Sequence, residues 1–248
     1  MNNIVQLTRP EPGIAVVQLQ DRAHQNTFSS ELIQGLQDTF AEIGQDNTIK
    51  VVVIYGYDSY FCCGGTKEEL LNIFSGKLSF DELAFYRLLL DCEVPTIAAM
   101  QGHGIGGGLA FGCYADLIIM AREAIYSTNF MKYGFTPGMG ATYMVPRKFG
   151  EIIGHELLYS ADTYHGGVLK EKGIPIPVLP KAEVIPHAMA LARQLADKPR
   201  TSLKILKAHL TQDIKRDLPQ IIEDELKLHE VSFAQPEVKQ RIERLFGQ

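Results

Sequence analysis

Thr96–Asp116 reads TIAAMQGHGIGGGLAFGCYAD, and the fold turns on how its glycines are understood. Thr96–Met100 is an apolar run short enough for a buried strand, and Leu109–Tyr114 is a small-residue apolar segment that reads as a short helix. Between them lie Gly102, Gly104, Gly106, Gly107 and Gly108. Glycines at a strand-to-helix junction allow a tight turn and let a ligand come close to the main chain. They also aim the first amide N–H groups of the helix at whatever docks there. Such a junction suits a negative charge, either a phosphate oxygen or the oxyanion of a thioester.

The chain around this stretch has 248 residues, 46% of them hydrophobic, which predicts one large domain with at most a small appendage. No segment has the length of a membrane span, and MNNIVQLTRPEPG lacks the basic-then-apolar layout of a signal peptide, so a cytosolic protein is expected. A net charge of −5 argues against a general nucleic-acid binder. Cys62, Cys63, Cys92 and Cys113 have no zinc spacing and read as buried structural thiols in a reducing compartment.

Upstream, Ile4–Leu7 and Ile14–Leu19 read as strands of a hairpin turned at Pro12-Gly13. Ser29 caps a helix, SSELIQGLQDTFAEI, with Leu32, Leu36, Phe40 and Ile43 on one face. Lys50–Tyr55 is a β-branched run typical of a buried parallel strand. Cys62–Thr66 (CCGGT) then repeats the glycine logic on a smaller scale, leading into helices at Lys67–Phe74 and Phe80–Leu90. Downstream, strands are expected at Leu117–Ala121 and Ala124–Tyr126, and a glycine- and proline-punctuated loop at Met131–Gly140. Helical periodicity covers Glu151–Tyr159, Gly166–Lys172, Ala182–Ala196, Thr201–Leu210, Leu218–Phe233 and Glu237–Phe246, with Ile176–Leu179 extended. The pattern is an α/β core with a helical C-terminal portion.

Gly102–Gly107 formally satisfies G-x-G-x-x-G, with Glu123 where a Rossmann acid would bind a ribose. The crossover helix would be at the lower limit of length, and the motif sits mid-chain. Glycines that merely permit close packing are another reading. The presence of two junctions, Cys62–Gly65 and Gly106–Gly108, favours a third. Two backbone amides directed into one space form an oxyanion hole, which stabilises charge developing on a carbonyl oxygen.

Taken together, DR–NTF at 21–28, VVVIYGYDSYFCCGGT, AAMQGHGIGGGLAFGCYADLIIM, MKYGFTPGMGATYMVPRKFG and SFAQPEVKQRIERLF resemble the crotonase superfamily of enoyl-CoA hydratases and isomerases. The resemblance implies a spiral fold of ββα units over residues 1–195 and a helical trimerisation region over 196–248, forming trimers or dimers of trimers. It also implies oxyanion-hole amides at Cys63 and Gly107. Hydratases of that superfamily carry two glutamates, which here fall on Ala110 and Phe130. Water addition then lacks its acid and base. Apolar residues at both places make a drier pocket, and a dry pocket favours loss of CO2 from a carboxylate.

The departure narrows the resemblance. DRAHQNTFS, GGT, LDCEVPTIAAMQGHGIGGG, NFMKYGFTPGMGAT, DKPR–SL and ELKLHE are similar to the decarboxylating hydratase-like enzyme of polyketide β-branching. That group decarboxylates a 3-methylglutaconyl thioester on an acyl carrier protein, without metal or nucleotide cofactor. Its active-site lysine and histidine map onto Lys77 (with Lys67 as the alternative) and His229. Either could protonate the dienolate. Tyr133, Thr136 and Gly138 line the pocket, and His103 packs beneath the glycine turn. The acidic carrier implies a basic patch drawn from Lys67, Arg147 or Lys148. An enoyl thioester isomerase and a catalytically silent binding subunit are the competing readings.

Overall fold

The computed structural model describes residues 4–68, 71 and 84–245. A hairpin opens the chain, with β1 (Val5–Glu11) antiparallel to β2 (Ile14–Leu19). β1 runs further than the sequence suggests and includes Pro10; it lies at the sheet edge, where a missing N–H costs no ladder bond. Helix α1 (Ser30–Gln45) follows, its Leu32 N–H donating to the Ser29 side chain as the capping pattern predicts. Its buried residues Leu32, Leu36, Phe40 and Ile43 form the expected stripe.

Beyond α1 the chain repeats one manoeuvre. A long strand rises, turns a corner, and continues as a short strand of a second sheet. β3 (Val51–Tyr55) leads to β4 (Tyr60–Cys62), followed later by α2 (Leu88–Asp91). β5 (Thr96–Met100) leads to β6 (His103–Ile105) and α3 (Gly107–Cys113). β7 (Leu117–Ala121) leads to β8 (Ile125–Ser127). Gly102 marks one corner, where a Cβ would overlap the Ser59 carbonyl.

Further on come α4 (Ala141–Phe149), α5 (Glu151–Ser160), β9 (Tyr164–His165), α6 (Gly166–Glu171) and β10 (Val178–Leu179). Helices α7 (Lys181–Ala196), α8 (Arg200–Phe233) and α9 (Pro236–Leu245) complete the chain. Among the described residues the large sheet has six strands in the order β1-β2-β3-β5-β7-β10, and the small one four in the order β4-β6-β8-β9. From β2 onward the large sheet is parallel. Val51–Ile54 and Thr96–Met100 are buried along their length, as strands covered on both faces require. Helix α7 lies across β3, β5 and β7.

Three local expectations need correction. His103–Ile105 is a strand inside the glycine cluster, paired with β4 and β8, because alternating glycines still present a backbone ladder. Helix α4 was hidden in the sequence by Pro146, which reads as a break yet sits inside the helix. Helix α8 is continuous for 34 residues and contains Pro219, where the sequence pattern predicts two helices, Thr201–Leu210 and Leu218–Phe233. Burial of Leu218 and Ile222 on either side of the proline holds the two halves in one line. Lys77, most of the expected Lys67–Phe74 helix and the first four residues of Phe80–Leu90 lie outside the described residues; Lys67, Glu68 and Leu71 are helical, and Ala84–Arg87 forms a 3-10 turn that leads into α2, as the second helix predicts. Among the described residues no helix is long and apolar enough to cross a membrane.

Candidate active site

The two glycine junctions meet where β4 and β6 end. Asn26, fully buried, donates through Nδ2 to the Phe61 carbonyl at 2.9 Å and the Leu19 carbonyl at 3.2 Å, and accepts from the Asp21 N–H at 2.7 Å. Its own carbonyl accepts from the Cys62 thiol at 3.0 Å. The Phe28 N–H donates to the Gly64 carbonyl at 2.8 Å. The segment Cys62–Gly64 is thus tied down on one side by the 21–28 loop. On its other side it abuts the start of α3: a Cβ on Gly64 would lie 2.9 Å from the Gly107 amide nitrogen, and one on Gly108 would overlap the Cys62 carbonyl. This close approach brings the amides of Cys63 and Gly107 into one neighbourhood. The Cys63 thiol is pushed up to about 12 by burial, so it stays protonated and its side chain is no nucleophile at neutral pH. The chemistry available at this position is that of the backbone N–H.

His229 lies on α8 at 5% exposure, inside an aromatic nest. Phe233 is edge-on at 5.4 Å and Phe135 at 6.3 Å; Phe135 in turn stacks on Phe233 at 4.5 Å and on Tyr133 at 6.0 Å, with Phe130 at 6.1 Å. Burial lowers the imidazole pKa, opposed by hydrogen bonding to the backbone at Thr136 and Pro137. The lowered pKa favours the neutral ring, whose Nε2–H donates to the Thr136 carbonyl at 2.7 Å. That bond assigns Nδ1 as the accepting nitrogen. Gly138 lets the loop pass over the ring, since a Cβ there would overlap His229 Cε1. One residue on, the Met139 sulfur would be 3.0 Å from a Cβ at Gly107, with the Phe28 ring at 2.9 Å. A single loop therefore touches both the histidine and the glycine junction.

The other expected pocket residues are apolar or small where the sequence places them. Ala110 is fully buried on α3, Phe130 is buried before the 3-10 turn Met131–Tyr133, and Tyr133 is buried within it. Thr136 is half-buried and shares hydrogen bonds with Ser232, its N–H at 3.2 Å and its hydroxyl at 3.1 Å. His103 lies under the junction: its Nδ1 accepts from the Ile125 N–H at 3.0 Å, and burial lowers its pKa. Among the described residues no cluster of His, Cys, Asp and Glu could hold a metal ion.

The basic patch needs revision. Lys148 is no docking cation, because its Nζ turns inward to the carbonyls of Ala115 at 2.7 Å and Asp116 at 3.3 Å. Arg147 is exposed and lies over the Tyr143 ring at 5.0 Å. Lys67 reaches the Glu243 carbonyl on α9 at 3.2 Å, and Arg241 of the same helix reaches the Lys132 carbonyl at 3.4 Å. The exposed cations Lys132 and Arg241 thus meet at the Met131–Tyr133 turn from two separate segments, which no local charge run could reveal. The sequence also gave no role to Glu225 and Ser232. They lie four residues before and three after His229, on one face of α8, and helical spacing of polar residues is the signal that points to them.

Comparison with known proteins agrees with this geometry. The enoyl-CoA hydratase/isomerase family model matches residues 9–246. The chain is 50% identical over 246 residues to the bacillaene synthase decarboxylase PksI of Bacillus subtilis (strain 168), covering 99% of each. It superposes on a chain from the structure of a dehydratase/decarboxylase enzyme couple involved in polyketide β-branching, with a TM-score of 0.98 at 50% identity, over 99% of this chain and 100% of that one. The ECH2 decarboxylase domain of CurF from Lyngbya majuscula gives 0.95 at 41% identity, over 98% and 99%. A model matched almost from end to end, on a framework of paired strand corners and glycine junctions, leaves one conclusion: the chain belongs to the enoyl-CoA hydratase/isomerase family.

Proposed function

We propose that the protein is a decarboxylase of polyketide β-branching, converting a 3-methylglutaconyl-type thioester on an acyl carrier protein to the 3-methylcrotonyl-type product. The observation that carries the reading is 50% identity to a decarboxylase along the full length of both chains. Apolar Ala110 and Phe130 support it, because water addition has no carboxylate at either place. In the mechanism, the N–H groups of Cys63 and Gly107 hold the thioester oxygen. Lys77 pairs with the distal carboxylate and turns its C–C bond over the conjugated system. As that bond breaks, its electron pair passes through the double bond to the thioester oxygen, CO2 leaves, and a dienolate remains. A proton from Lys77, or from His229 once its Nδ1 has taken one up, then completes the product. Phe130 and the aromatic nest around His229 make this part of the site apolar, and a dry site favours loss of CO2 from a carboxylate.

Mass spectrometry of the carrier-bound 3-methylglutaconyl substrate tests the reading. The expected result is loss of the CO2 mass with wild-type protein; no loss over many enzyme equivalents overturns it. Isomerisation of an uncarboxylated 3-enoyl thioester in its place would favour the isomerase reading.

Residues 196–248 are the proposed trimerisation region. Exposed apolar side chains support an association through the helices: Ile205, Leu206, Leu210, Leu228 and Val231 on α8, with Ile152 and Tyr159 on α5. A trimer, or a dimer of trimers, is expected by light scattering, and a monomeric mass would end the idea.

A further inference from the structure

The Met139–Gly140 peptide is gripped at both ends. Its carbonyl accepts from the Tyr114 hydroxyl at 2.6 Å, and its N–H donates to Glu225 Oε2 at 2.7 Å. Both residues of this turn have left-handed backbones, with φ of 62° at Met139 and 69° at Gly140. Met139 is a residue type that rarely adopts such a conformation, so the turn depends on its surroundings. The other Glu225 oxygen accepts from the Thr142 N–H at 2.9 Å and from its hydroxyl at 2.6 Å. Glu225 is only 3% exposed, and these three donors are what compensates a buried carboxylate.

The turn lies between the two halves of the site. On one side the Met139 sulfur packs on Gly107; on the other, Gly138 passes over the His229 ring. Glu225 stands one helical turn before His229 on the same face of α8. Tyr114 caps the C-terminal end of α3, the helix that Gly107 begins. A closed circuit results: Gly107, α3, Tyr114, the Met139–Gly140 peptide, Glu225, α8 and His229. Rotation of the gripped peptide would withdraw Met139 from Gly107 and shift Gly138 against the imidazole.

We propose that Glu225 is the positioning residue that holds the Met139–Gly140 peptide and so keeps the Gly107 amide and His229 in register for the reaction. The inference rests on the decarboxylase reading for its kinetic arm. A positioning role acts on the transition state more than on ground-state binding. Glu225→Gln keeps the shape, but a carboxamide has one oxygen for acceptance and sets its NH2 against a backbone N–H.

The test measures Glu225→Gln by steady-state kinetics on the carrier-bound substrate and by NMR of the His229 imidazole. Lys207→Met serves as the stability control. Lys207 is buried on the same helix, reaching Asp116 Oδ2 at 2.8 Å and the Leu89 carbonyl at 2.8 Å, away from the loop. Glu225→Gln is expected to lower kcat by ~10-fold or more at unchanged KM. It should also move the Nε2–H resonance that the bond to Thr136 produces. Lys207→Met is expected to lower the melting temperature and leave both readouts alone. Thr142→Val, which removes only a hydroxyl donor, gives the same pattern as Glu225→Gln with a smaller drop and covers the case where the latter misfolds. Wild-type kcat in both site variants, a change confined to KM, or an unmoved His229 resonance overturns the proposal. If the wild type releases no CO2, the decarboxylase reading falls, while the resonance still reports whether Glu225 positions the histidine.

Discussion

His229→Ala is expected to lower kcat by ~10²–10⁴-fold, the range typical for loss of a side chain that moves a proton in the transition state. The environment of this residue supports so large an effect. Its ring sits among Phe135 and Phe233, with Nε2–H committed to the Thr136 carbonyl, so water cannot easily take its place. Burial lowers its pKa from the ordinary value, and that shift has a measurable consequence in the wild type. A histidine whose folded pKa is depressed contributes stability above its unfolded pKa of about 6.5, and loses it as pH falls through the folded value. Thermal stability should therefore decline as pH drops below about 6.5, and His229→Gln should reduce the decline. His103 is shifted in the same direction and supplies a residual slope. A His229→Ala protein with wild-type kcat would remove the histidine from the reaction and leave Lys77 as the proton donor.

The second large effect comes from two adjacent glycines that should fail differently. A Cβ at Gly108 would overlap the Cys62 carbonyl, where β4 and α3 meet backbone to backbone. Neither segment can yield without undoing the junction. Gly108→Ala is expected to destabilise the fold by about 3 kcal/mol, a fall of about 10 °C in melting temperature for a chain of this size, with activity lost alongside. At Gly107 the new atom would meet the Phe28 ring at 2.9 Å and the Met139 sulfur at 3.0 Å, both ends of side chains that can move. Gly107→Ala should therefore fold, but with its amide displaced, and lose ~10²–10³-fold in kcat at little change in melting temperature. Melting and kinetics on the pair separate the outcomes. Equal stability and equal kcat for both variants would mean that neither glycine is needed for close approach.

How far the sequence could be read follows from which interactions are local. The Ser29 cap, the α1 stripe and the Val51–Ile54 and Thr96–Met100 strands were legible because their signals lie within a few residues. Helix α4 and the continuity of α8 were not: Pro146 locally favours a break in the first, the largely polar run Thr211–Asp217 interrupts the apolar pattern of the second, and packing after folding overrides both. The same division holds in the site. The glycine junctions, Ala110, Phe130 and His229 could be named from motif positions. The grip of Glu225 on a loop 85 residues away could not, nor could the inward turn of Lys148, because each depends on where helices pack after folding. Lys77 remains an expectation from sequence, outside the described residues.

The donors proposed for the enolate are main-chain amides, and no single codon specifies them. A point mutation at Cys63 changes a thiol and leaves the N–H in place. Ala110, Phe130 and His229, by contrast, are each open to replacement by one codon. A lineage can thus exchange one reaction for another through side chains alone while the means of stabilising a thioester enolate passes on unaltered. Most changes that would remove that capacity damage the backbone junction, as at Gly108, and the stability of the whole chain guards it; Gly107 is the vulnerable point, where one codon displaces the amide while the chain still folds.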